Sequence, residues 1–76
     1  MAAEAVWSYK AKNILKAELK RRGVSYAQLV LNLANFGVKE TEPELRSKIA
    51  RGGFSAAFLL QCLFAIGCHT VRLDDA

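Results

Sequence analysis

The sequence has little of what flexible, fibrous or membrane-spanning chains require. Only five glycines and one proline occur among 76 residues, and 53% of the residues are apolar. This composition excludes a disordered tail, a collagen-like chain and a flexible linker. The longest apolar stretch, 54–68, is interrupted by polar residues and falls short of the roughly 18 residues that span a bilayer. Without a secretion signal at its start, the chain is expected to be one soluble, cytoplasmic domain over 1–76, with flexible ends at 1–6 and 74–76.

Residue types that carry catalysis or bind metals are also scarce. One histidine and no carboxylate pair in an apolar setting leave no base and nucleophile to assign. We therefore expect no enzymatic activity, no small-molecule substrate and no cofactor. Two cysteines are too few for a disulfide scaffold, and Cys62 is expected to be a small core residue. The pair Cys68-His69 resembles half of a zinc site, but nothing supplies the remaining ligands, so no metal is expected.

The charge balance is basic, and it is more basic in the body of the chain than at its ends. Eleven lysines and arginines oppose seven acidic residues, which gives a net charge of +4 and a pI near 9.4. Three of the acids, Glu4, Asp74 and Asp75, lie at the ends, so residues 5–73 hold 11 basic and 4 acidic residues. A small basic body is a mild argument for a polyanionic partner.

Four segments with helical apolar periodicity are each followed by a glycine, at positions 23, 37, 52 and 67. Glycine ends helices because it adopts the left-handed conformation without strain. Start signals precede three of the segments: Ser25 and Thr41 each begin a capping box, and Ser55 can cap the last one. The sequence therefore predicts an all-α fold with helices over 7–22, 26–36, 42–51 and 56–66. Alternation over 69–73 predicts a short C-terminal β-strand.

The first predicted helix has an apolar side and a basic side. Its apolar side consists of Trp7, Ala11, Ile14, Leu15 and Leu19. The opposite side carries Lys12, Lys16 and Lys20 at four-residue spacing, followed by Arg21 and Arg22. These residues form either a solvated face, with cations favoured near the helix C-terminus, or a surface that contacts backbone phosphates.

The third predicted helix has two large apolar residues and an outward side that is mostly polar. Arg46, Ser47, Ala50 and Arg51 share that side, and Lys48 flanks it. A helix held along one edge can enter a nucleic-acid groove with the other, where arginine binds guanine edges or phosphates. An ordinary amphipathic helix has the same pattern, and the carboxylates of Glu42 and Glu44 in its first turn would repel phosphates.

Several apolar residues have no place in a single shared core. Leu31 points away from the apolar side of the second helix, and Ala57, Leu60 and Phe64 form a stripe opposite the apolar side of the fourth. A helix that is apolar on both sides is expected to be covered on both, here by another chain. Scattered exposed apolar residues are the alternative.

The stretch from Leu15 to Cys68 resembles the lambda-repressor-like helix-turn-helix domains of the Cro and XRE type. The segments LKAELKRRGVSYAQLV, ELRSKIARGG and FLLQCLFAIG carry this resemblance. Nearly the whole chain is also similar to a small bacterial family described only as a domain of unknown function. The first resemblance implies a compact four-helix fold of helix-turn-helix type that binds DNA. It also implies a dimer in which the strand 69–73, with Val71 and Leu73, pairs with its symmetry mate.

Two functions follow as hypotheses. The first is a homodimeric protein that binds double-stranded DNA, either a transcriptional regulator or a nucleoid-associated binder. It would hold phosphates with the basic side of the first helix and reach the major groove with helix 42–51. The second is a protein-interaction or self-assembly module that keeps the fold without reading DNA. RNA binding is disfavoured because the chain lacks a sheet that presents aromatic residues for base stacking.

Overall fold

The computed structural model describes residues 2–76 as four α-helices and a short 3₁₀ turn. The helices are α1 (Ala2–Arg22), α2 (Tyr26–Ala34), α3 (Glu42–Arg51) and α4 (Ala56–Ala65), and the 3₁₀ turn is Leu73–Asp75. The all-α class with four helices is therefore confirmed. α1 begins earlier than the predicted residue 7, and α2 ends before the predicted residue 36. Met1, part of the N-terminal end predicted to be flexible, lies outside the described residues.

The predicted capping residues start the last three helices. The Ser25 side chain accepts a hydrogen bond from the Gln28 backbone N–H, 3.1 Å away, and the Ser55 side chain accepts one from Phe58 at 3.0 Å. At α3 the Thr41 hydroxyl accepts from the Glu44 N–H at 3.3 Å, while the Glu44 carboxylate accepts from the Thr41 N–H at 3.4 Å. These bonds pair backbone groups that the first turn of a helix leaves without partners.

Gly52 ends α3 where its backbone lies close to that of α1. Its φ is +73°, in the left-handed region, and its N–H donates to the Lys48 carbonyl at 3.2 Å. A Cβ atom built on Gly52 would lie 2.6 Å from the Ser8 carbonyl oxygen of α1. Because only a residue without a side chain fits here, this glycine sets how closely α3 approaches α1.

The four helices share one hydrophobic core. α3 and α4 each pack against both α1 and α2. The buried cluster consists of Leu15, Leu19, Leu29, Leu33, Leu45, Ile49, Phe58, Cys62, Leu63 and Cys68. Trp7, which was predicted to lie on the buried side of the first helix, is 66% exposed, so that prediction is wrong. The reason is length: the 21 residues of α1 span about 32 Å, twice the length of its neighbours, and its first turns extend beyond them.

The predicted C-terminal β-strand over 69–73 is wrong. Residues 68–72 have no regular secondary structure, and the 3₁₀ turn that follows packs against α1. The hydrogen bonds in this segment are local, such as the one from the Ala76 N–H to the Leu73 carbonyl at 3.0 Å. Residues 2–76 contain no other strand with which this segment could form backbone hydrogen bonds, and an isolated strand is not stable.

Candidate nucleic-acid interface

The three predicted phosphate-binding lysines of α1 differ in their surroundings. Lys16 and Lys20 are exposed and form no ion pair or hydrogen bond with the described residues. Lys12 is half-buried; its Nζ lies 4.7 Å from the centre of the Tyr9 ring and donates to the Ala50 carbonyl of α3 at 3.4 Å. Lys12 therefore fastens α1 to the end of α3, whereas Lys16 and Lys20 leave their charges open to solvent.

A shallow hollow connects the lysines of α1 to the start of α2. It measures about 280 Å³ and is lined by Lys16, Leu19, Lys20, Val24, Ser25 and Tyr26. The guanidinium of Arg46, on α3, lies 5.0 Å from the centre of the Tyr26 ring. Tyr26 thus bridges the lysines of α1 and the outward side of α3.

The outward side of α3 borders a second hollow, of about 500 Å³. Its lining consists of Glu42, Pro43, Arg46, Ser47 and Ala50. The Arg46 guanidinium forms an ion pair with the Glu42 carboxylate at 2.7 Å, with both side chains largely exposed. Arg51 donates to the Ser47 hydroxyl at 2.8 Å at the edge of this surface.

These contacts join the two predicted basic surfaces into one. We call this surface the basic face and define it by Lys12, Lys16, Lys20, Tyr26, Arg46 and Ser47, with Arg51 at its edge. Leu45 and Ile49, on the opposite side of α3, are fully buried, so the helix is held from within and its polar side remains outside. Sequence reasoning assigned every residue of the basic face except Tyr26 to DNA binding, but it could not show that α1 and α3 are neighbours.

Lys48, predicted to flank the groove-facing residues, borders a hollow together with Ser47 and Arg51, but its charge is paired within the domain. Its Nζ is 2.6 Å from the carboxylate of Glu40, whose side chain is 8% exposed, and 4.8 Å from the centre of the Phe58 ring. The ion pair neutralises Lys48, and the ring holds it beside α4.

Arg21 and Arg22, both predicted to hold phosphates, form ion pairs with a buried acid. Glu18 is 2% exposed, and its two carboxylate oxygens lie 2.7 Å from Arg21 Nη1 and 3.5 Å from Arg22 Nε. This local pairing lowers the net charge that the two arginines present to solvent. The burial of Glu18 was not predicted, although its spacing of three and four residues from the arginines is the spacing of helical ion pairs.

The apolar residues predicted at an oligomer interface are exposed, but they do not form one surface. Leu60 and Phe64 line a recess of about 280 Å³ together with Phe36, Val38 and Gln61, and we call these five residues the apolar patch. Leu31 and Ala57 are exposed on α2 and α4 but do not line this recess. Val71 and Leu73 are exposed in the C-terminal segment. Phe36 and Val38 were not predicted as interface residues, because their position beside Leu60 and Phe64 results from the packing of α4 against α2.

The cysteines are core residues in the structure. Burial, with a smaller contribution from the Glu40 carboxylate, raises the pKa of the Cys62 thiol to about 12, against the opposing effect of Lys48. Such a thiol stays protonated at neutral pH, which makes it a poor nucleophile and metal ligand. Cys68 is buried, and its thiol donates to the Thr70 carbonyl at 3.3 Å. Among the described side chains, no three His, Cys, Asp or Glu groups come together as a metal site would require.

Comparison with known sequences places the chain in a family. Residues 7–71 match a family described as a domain of unknown function, DUF6471. The chain belongs to the DUF6471 family. The basic face and the apolar patch both fall within the segment that matches this DUF6471 domain. No curated protein and no solved structure matches the chain. No helix in residues 2–76 is long and apolar enough to cross a membrane.

Proposed function

We propose that this domain binds double-stranded DNA through its basic face, with α2 and α3 acting as a helix-turn-helix unit. The observation that supports this function best is the position of Lys16 and Lys20, which are exposed, unpaired among the described residues and adjacent through Tyr26 to Arg46. When unpaired lysines contact phosphates, the counterions condensed on the DNA are released. This release drives most protein–DNA association.

The geometry suggests different roles for the two helices. Lys16 and Lys20 lie about 6 Å apart along α1, so both can reach one phosphate backbone. On α3, Arg46 and Ser47 are exposed on the outward side of the helix, and arginine pairs with the O6 and N7 atoms of guanine in the major groove. α1 would thus set the position of the domain on the duplex, and α3 would supply contacts to bases.

The two acids in the first turn of α3 are engaged within the domain. Glu42 pairs with Arg46, and Glu44 accepts the hydrogen bond that closes the capping box. Both carboxylates are partly satisfied by these contacts, which weakens their repulsion of a nearby phosphate. In the same arrangement the Arg46 guanidinium lies beside the Tyr26 ring on the basic face.

The test is fluorescence anisotropy of a labelled random-sequence duplex, titrated with protein at several salt concentrations. The double variant Lys16→Gln/Lys20→Gln lowers the net charge by two. Arg72→Glu makes the same change in charge at an exposed residue outside the basic face. We expect the wild-type affinity to fall steeply with salt. The slope of log K against log salt concentration should decrease in magnitude by about two for the double variant.

The matched variant separates a defined site from a general attraction. Arg72→Glu is expected to keep the wild-type slope, because it removes no phosphate contact. Equal weakening by both variants would contradict the basic face as the binding site, and the absence of wild-type binding at low salt would contradict DNA binding altogether. Competition with unlabelled genomic fragments would then distinguish a regulator that prefers one site from a nucleoid-type binder.

A further inference from the structure

We propose that the apolar patch is the surface through which two copies of this chain associate. Phe36, Leu60 and Phe64 are 59%, 55% and 62% exposed, and they border a single recess between α4 and the connection that follows α2. The inference does not depend on DNA binding, because the patch and the basic face share no residue.

The chemistry of the patch favours a second copy as its occupant. The residues that line the recess are uncharged, whereas the other hollows described above are bordered by lysine, arginine or glutamate. A strongly charged partner would find no opposite charge here. Two copies of a chain with net charge +4 repel each other over most of their surface, but they can meet at this neutral area.

The shape of the patch also suits pairing with itself. A two-fold symmetric interface needs one surface that supplies both a projection and the recess that receives it. The rings of Phe36 and Phe64 project beside a recess of about 280 Å³, and an aromatic side chain from the facing copy would fill part of that space.

The connection that forms one wall of the recess is tied to the end of α2. The backbone N–H groups of Phe36 and Val38 both donate to the Leu33 carbonyl, at 2.9 and 3.1 Å, and Leu33 is fully buried. Because these bonds hold the wall in place, little additional ordering is required when two copies meet.

The exposed apolar area would supply much of the apolar part of a reversible dimer interface. A fully exposed aromatic side chain offers about 150 to 250 Å², so the two phenylalanines and Leu60 present roughly 300 Å² on each copy. Two copies would bury twice that amount, a large part of the apolar area in a standard interface of about 1,600 Å². This area is consistent with a dimer that dissociates on dilution.

The experiment is sedimentation equilibrium of the complete chain without DNA, over a range of protein concentrations. The wild type is compared with Phe64→Glu and with Trp7→Glu, which introduces the same charge at another exposed aromatic residue, 66% exposed on α1. We expect a monomer–dimer equilibrium for the wild type. Phe64→Glu should raise the dimer dissociation constant at least tenfold, roughly the cost of facing two carboxylates in an apolar contact. Trp7→Glu should leave it unchanged.

Three outcomes would overturn the proposal: a wild type that is monomeric throughout, a Phe64→Glu dimer as stable as the wild type, or equal disruption by Trp7→Glu. Circular dichroism melting shows whether each variant is folded. If Phe64→Glu unfolds, Leu60→Glu repeats the test at a neighbouring position in the same recess. Since no DNA is present, failure of this proposal is distinguishable from failure of the proposed DNA binding.

Discussion

At the scale of single residues, Gly52 has the most demanding position in the fold. Its left-handed backbone and its contact with the Ser8 carbonyl are two separate constraints on any replacement. Gly23 has a similar φ, +65°, but a Cβ atom there would meet nothing within 4 Å. Comparing the two glycines therefore separates the cost of the conformation from the cost of the close approach.

We expect Gly52→Ala to lower the free energy of unfolding by more than about 3 kcal/mol, because α3 must shift away from α1 in addition to the conformational cost. Gly23→Ala should cost about 1 kcal/mol, which is the conformational cost alone. Urea denaturation of the two variants measures both values. Equal losses would show that the approach of α3 to α1 is looser than the structure indicates.

Cys62 makes stability depend on pH in the alkaline range. Its pKa rises from 9.0 to about 12 on folding, mainly because burial disfavours the thiolate. Below the unfolded pKa both states keep the proton, and the contribution of the thiol to stability is fully present. Above it the unfolded chain loses the proton while the folded chain retains it, so the free energy of unfolding falls as pH rises toward the folded pKa.

Between these two pKa values, the ionisation of Cys62 lowers the free energy of unfolding by at most about 1.4 kcal/mol per pH unit. We expect Cys62→Ala to be less stable than the wild type near neutral pH, because of the cavity it leaves, but to lose less stability as pH rises above 9. Urea titrations at a series of pH values measure both slopes, and lysines and tyrosines contribute equally to each. Parallel slopes would mean that the Cys62 thiol ionises as readily in the folded chain as in the unfolded one.

At the scale of helices, sequence signals that act locally predicted the structure correctly. Features that depend on distant parts of the chain were predicted wrongly. Ser25, Thr41 and Ser55 act within three residues of themselves, so their roles can be read from spacing alone. The predicted strand 69–73 failed because a strand needs a partner that no local pattern supplies. The exposure of Trp7 depends in the same way on how far the other helices extend, which is a property of the whole fold.

The capping box of α3 should determine how firmly the start of that helix is held. We expect Thr41→Ala to lower the free energy of unfolding by about 1 kcal/mol, because the Glu44 N–H loses its acceptor. Thr41→Ser keeps the hydroxyl and should lie within about 0.5 kcal/mol of the wild type. Thermal melting of the two variants provides the comparison. If alanine and serine behave alike, the bond from the Glu44 N–H to the Thr41 side chain contributes nothing measurable.

At the scale of the whole molecule, the two candidate surfaces are built on different elements. The basic face is built on α1, the start of α2 and α3, whereas the apolar patch lies on α4 and the connection after α2. From charge and periodicity, sequence reasoning identified six of the seven residues of the basic face but only two of the five of the apolar patch, Leu60 and Phe64. It could not predict that Lys16 lies near Arg46 or that Phe36 lies near Phe64, because these contacts result from the packing of segments that are distant in sequence.

If both proposals hold, a dimer presents two basic faces, and duplex length should reveal this. On a short duplex that accommodates one protomer, we expect Phe64→Glu to bind as tightly as the wild type. On a longer duplex, which both faces of a dimer can reach, the variant should bind about 10- to 100-fold more weakly, because the second contact is no longer intramolecular.

Anisotropy with the two duplex lengths measures this difference, and Lys16→Gln/Lys20→Gln serves as the control that weakens binding to both. Equal weakening of Phe64→Glu on the short and the long duplex would place Phe64 within the DNA-binding surface itself.

The attachment of α3 through Leu45, Ile49 and Gly52 has a consequence for how this fold can diversify. The apolar side chains and the glycine that anchor the helix lie on its inner side or at its end, whereas the outer residues at positions 46, 47 and 50 are exposed and lie outside the hydrophobic core. If the proposed DNA binding holds, new side chains at those positions alter what the domain recognises while the core stays the same. Selection could then change the ligand of α3 one residue at a time without unfolding the domain.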